Sequence, residues 1–87
     1  MDYFITAREE VLREVAASIM ANIINYMRIK GRKEDPSDPL EILLRKVNTI
    51  SNTLISEPNH TMDDLEKISA KLSFAREYVD EVVSVNG

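Results

Sequence analysis

Helix-breaking residues are scarce in this chain, and their placement divides it. Its two glycines and three prolines, in 87 residues, are Gly31, Pro36, Pro39, Pro58 and Gly87. Inside a helix, glycine costs roughly 1 kcal/mol and proline roughly 3 kcal/mol relative to alanine. The stretches between them, Met1 to Lys30, Leu40 to Glu57 and Asn59 to Asn86, are long and uninterrupted. A few long helices are the natural outcome.

Capping residues mark where those helices begin. Thr6-Ala7-Arg8-Glu9 has the form of a capping box, and Asp2 competes with it as an earlier N-cap. Gly31 suits the left-handed residue that closes a helix, with Arg28 and Lys30 at the negative end of the dipole. Asp38-Pro39-Leu40-Glu41 opens a second helix, with proline at its first position. Thr61-Met62-Asp63-Asp64 opens a third, with Thr61 as cap and two acids at the positive dipole end. The expected helices span about 2–30, 38–56 and 61–85 of one domain. Glu9/Arg13, Glu41/Arg45 and Asp63/Lys67 are acid-then-base pairs at i,i+4 that suit exposed faces. The expected fold class is all-α: a three-helix antiparallel bundle with long helices, with dimerisation as one way to complete it.

The three apolar faces differ in width. In the second helix, Leu40, Leu43, Leu44, Val47, Ile50, Leu54 and Ile55 fall within about 140° at 100° per residue, and Ile42 is the outlier. The third carries a ladder of Leu65, Ile68, Leu72, Ala75, Val79 and Val82, with Phe74, Tyr78 and Val85 as a second ridge. In the first, apolar residues from Val11 to Ile29 cover about 220°. Two packed neighbours cover roughly half a helix, so the surplus faces something. That surplus assigns a candidate partner-binding surface to Val11, Val15, Met20, Ile24 and Met27, with Phe74 and Tyr78 as neighbours. A second copy is the common occupant of such a face, and methionines suit an adaptable one. The expected core is Leu12, Ile19, Ile23, Val47, Ile50, Leu65, Ile68, Leu72 and Val79.

Residues for catalysis are few. Cysteine is absent and His60 is the only histidine, placed in the turn before the third helix and read as solvated. No nucleophile–base pair, Glu-x-x-His metal pair, glycine-rich phosphate loop or calcium loop is present. Glu9-Glu10 and Asp63-Asp64 are sequence neighbours, so their carboxylates point to different helix faces. No enzymatic activity and no cofactor are expected.

A basic cluster, Arg28, Lys30, Arg32 and Lys33, with Arg45 and Lys46 on the next helix, is the alternative functional feature. Such a cluster can touch phosphates, which makes a nucleic-acid-associated regulator the second reading. The net charge of −4, the acids Glu34, Asp35 and Asp38 that follow at once, and the absence of interleaved aromatics disfavour it.

No apolar run reaches the roughly 20 residues of a membrane span, and the start of the chain lacks the pattern of a signal peptide. The match of Asn59-His60-Thr61 to a glycosylation acceptor is read as chance. The resulting expectation is a small, acidic, cytoplasmic, non-enzymatic interaction module: a regulator, adaptor or inhibitor, homodimeric, with a protein partner and no membrane.

Overall fold

The computed structural model describes residues 3–31, 35–57 and 59–86. It consists of α1 (Tyr3–Ile29), α2 (Pro39–Ser56) and α3 (Met62–Asn86), and none of the described residues is in a strand. The expected all-α, three-helix class is the one observed. Consecutive helices run antiparallel, so α1 and α3 point the same way. Arg8, near the start of α1, donates to the Ser69 hydroxyl near the start of α3 at 3.2 Å. Ile29 and Val83, near their other ends, border one recess. The helix axes lie along a body measuring 45 × 22 × 16 Å.

Each boundary has a local cause. α1 already begins at Tyr3, so Thr6 sits inside it rather than capping it. Ile5 packs against the core, and that burial carries the helix past the Thr6 box. The competing cap, Asp2, lies outside the described residues. At the other end Gly31 adopts φ 63°, and its amide donates to the Arg28 carbonyl at 3.1 Å. Asp38 caps α2, accepting the Leu40 amide at 2.9 Å, with Pro39 in the first turn. Asp35 accepts both the amide and the hydroxyl of Ser37, at 3.0 and 2.7 Å. Those two bonds, the amide first, hold its carboxyl below the usual carboxylate range. The second turn uses Asn59 at φ 63°, a left-handed conformation that asparagine tolerates. α3 opens on a reciprocal box: Thr61 Oγ1 accepts the Asp64 amide, and Asp64 Oδ2 accepts the Thr61 amide, both at 3.1 Å.

The core lies along α1. Leu12, Ala16, Ile19, Ile23, Tyr26 and Met27 of α1 meet Leu40, Val47 and Leu54 of α2 and Leu65, Leu72, Ala75 and Val79 of α3. Removing such a side chain from water contributes about 1.5–3 kcal/mol. Ile50 and Ile68, expected inside, are half-buried at the margin of this cluster. α1 packs against both other helices, whereas α2 and α3 touch each other far less.

Candidate functional site

Packing resolves the broad apolar circumference of α1 into a seam and two shoulders. The buried and half-buried apolar positions, from Val15 round to Met20, occupy about 140° of the helix. Met27, expected on the spare face, belongs to the core, and Val15 and Met20 are half-buried against it. Val11, 46% exposed, and Ile24, 53% exposed, remain outside the seam. They stand about 140° apart round the outer side of the helix, on opposite shoulders. The five α1 residues expected on one surface therefore do not form one.

The first shoulder continues to the helix start. Phe4 lies about two turns before Val11 on nearly the same azimuth. Tyr3 and Phe4 are 79% and 78% exposed, and their rings meet edge to face with centroids 6.4 Å apart. Two aromatic rings in water with so little covering are unusual for a side-chain pair in a regular helix. Glu10 and Glu14, both exposed, lie beside this stripe on the solvent side of α1. The second shoulder is Ile24 with Met20 behind it, bordered by the exposed Ala17 and Ala21.

The second surface lies between α2 and α3, on the side away from α1. Because those helices touch little, they leave an open apolar groove of about 870 Å³. Its floor includes Val47 and Ala75; Ile42, Ile50, Phe74 and Tyr78 rise along its walls. Phe74, 76% exposed, is its most prominent ring. Phe74, expected beside the α1 face, thus belongs to a different surface, whereas Tyr78 lines both this groove and a recess shared with Tyr26 and Lys30 of α1. Every charged residue lining the groove is basic: Arg45 and Lys46 on α2 and Lys71 on α3. Arg45 is partly occupied, donating to the Pro36 carbonyl at 2.9 Å.

The basic cluster is dispersed in its roles. Arg28 donates to the Asn25 side chain at 3.2 Å, and the Lys30 ammonium sits 5.9 Å from the centroid of the Tyr26 ring. Arg32 and Lys33 lie outside the described residues.

His60 departs from its expected place. It is buried, not solvated, at 9% exposure. Its Nδ1 lies 3.1 Å from Glu9 Oε2, placed to donate to that carboxylate and tie the α2–α3 turn to the first third of α1. Its Nε2 is buried with no hydrogen-bond partner. A histidine three residues before an acid in a turn carries no local sign of this burial. Only the passage of α1 over the turn encloses it. Among the described residues no group of three histidine, cysteine or acidic side chains could hold a metal ion. Likewise, no helix is long and apolar enough to cross a membrane.

A family model, bacterial epsilon antitoxin, matches residues 1–82. The chain belongs to that family. Comparison with curated proteins and with solved structures returns no match.

Proposed function

We propose that this epsilon-antitoxin family chain neutralises its toxin partner by docking the N-terminal shoulder of α1 onto it. It acts by binding, as a non-enzymatic inhibitor, with the cytoplasm as its site of action. The observation that carries this reading is the exposure of Phe4 and Val11 on one line of α1, with the exposed Tyr3 ring edge to face against Phe4. Aromatic side chains dominate binding energy because they remove large apolar area from water at low rotamer cost. Placed on a regular helix, they reach a partner without a folding step.

The opposite shoulder, Ile24 over Met20 with Ala17 and Ala21 beside it, is the self-association surface in this reading. Small flanking residues let a second copy of α1 approach, and a two-fold pair would bury Ile24 on both copies.

The test uses the full chain with its cognate toxin. Phe4→Ala and Val11→Asp should each weaken toxin binding, measured by titration calorimetry, by roughly tenfold or more. Circular dichroism should remain unchanged, because both side chains lie outside the buried core. Unaltered affinity in both variants would remove α1 as the contact. Sedimentation equilibrium reads the second surface: Ile24→Glu should convert a dimer to a monomer. Salt separates the phosphate-binding alternative, since counterion release makes that mode weaken steeply as salt rises.

A further inference from the structure

We infer that the α2–α3 groove is a second docking surface, built for an acidic amphipathic helix of another protein. It is independent of the α1 shoulder and stands or falls separately. Three observations on the groove converge. It is apolar along its length and holds about 870 Å³, a trough of the kind that receives one face of a helix. Phe74 projects into water at its edge with 76% exposure, a cost the free protein recovers only when a partner covers the ring. Lys46 and Lys71 stand on opposite walls, and no acid lines the groove.

The charge pattern selects the occupant. A chain of net charge −4 has put only cations among the charged residues lining this apolar trough. A helix with leucine or phenylalanine on one face and glutamates on both flanks would meet the apolar floor and both lysines at once. A helix with basic flanks would be repelled. Nucleic acid fits the lysines but leaves the apolar floor unused.

A second copy is disfavoured by geometry. On α1, an apolar stripe with acids beside it, Val11 with Glu10 and Glu14, lies behind the groove. Seating it in the groove of the next copy joins opposite sides of the molecule, a head-to-tail contact that does not close as a pair.

The experiment uses the full chain and two fluorescent synthetic helices with the same apolar face, one flanked by glutamate and one by lysine. Fluorescence anisotropy should give micromolar binding of the glutamate helix and roughly tenfold or weaker binding of the lysine helix. The double variant Lys46→Glu, Lys71→Glu should reverse that preference, and Phe74→Ala should weaken both helices. These positions are exposed, so the variants keep the fold, and circular dichroism verifies it. Failure of the glutamate helix to bind would overturn the proposal. So would equal binding of both helices by both proteins, binding of a DNA duplex in preference to the glutamate helix, or open-ended growth of the free chain in sedimentation that Phe74→Ala abolishes. Toxin affinity of the groove variants, measured alongside, keeps this outcome separate from that of the α1 shoulder.

Discussion

The seam along α1 and the face between α2 and α3 are made of the same kinds of side chain and have opposite fates. In the seam, Ile19, Ile23, Leu65, Leu72 and Val47 are almost completely enclosed. On the α2–α3 face, Phe74 stands in water, and Ile42 and Tyr78 are partly exposed. Hydropathy does not separate the two groups; the presence of an opposing wall does. Each seam residue has a neighbour on another helix at van der Waals distance, which supplies dispersion contacts and excludes water. Across the groove, the parted helices provide walls but no lid. The seam therefore carries stability, while the open face contributes little to it.

The comparison is most easily broken by truncating one residue on each side. Ile23→Ala and Leu72→Ala should each cost about 2–5 kcal/mol in urea unfolding. Phe74→Ala should stay within about 0.5 kcal/mol of the parent. A comparable loss at Phe74 would mean that the groove is closed in solution and belongs to the core.

The clasp between Glu9 and His60 sharpens the boundary of the seam. Glu9→Ala would leave both ring nitrogens of His60 buried without a partner. The expected loss is about 1–3 kcal/mol, again by urea unfolding. A silent Glu9→Ala would show that water reaches the imidazole and that the seam ends before the turn.

Helix ends anchor the open face without contributing to its floor. Thr61→Ala removes the hydroxyl that accepts the Asp64 amide and should cost about 1 kcal/mol. The smallest effect is electrostatic. The Thr61 amide, followed by its hydroxyl, holds the Asp64 carboxyl below the ordinary carboxylate range, with Lys67 and His60 adding to the effect. A lowered folded value means that ionised Asp64 favours the folded state. That contribution is fully present above the unfolded value of 3.8 and fades as pH falls through the lowered one. Urea midpoints between pH 2 and pH 6, compared with those of Asp64→Asn, should show a difference that shrinks toward the acid end.

Much of this architecture can be read directly from the residues. The caps at Asp38 and Thr61 and the stop at Gly31 work through bonds within a few residues, so sequence alone locates them to within one position or so. The buried stripe Leu12, Ile19, Ile23 follows from 3.6-residue periodicity, as do Leu65, Leu72 and Val79. The exceptions are instructive. Thr6-x-x-Glu9 has the form of a box, yet Ile5 finds core contact and the helix starts earlier; Glu9 then serves His60 instead. Met27 and Val11 share a broad apolar arc, but only the helix that happens to lie against each side decides which is covered. Phe74 and Tyr78 belong to a ridge whose neighbour cannot be named from its own helix.

What this sequence determined by itself was where three helices begin and end, and which stripe of each is apolar, because caps, breakers and periodicity act over one or two turns. What only the tertiary structure decided was the division of that apolar surface: the α1 seam enclosed and its shoulders left open, α2 and α3 parted, His60 covered, Phe74 left in water. Packing sets that division through the angles and separations at which three helices meet, and those depend on all the interlocking side chains together.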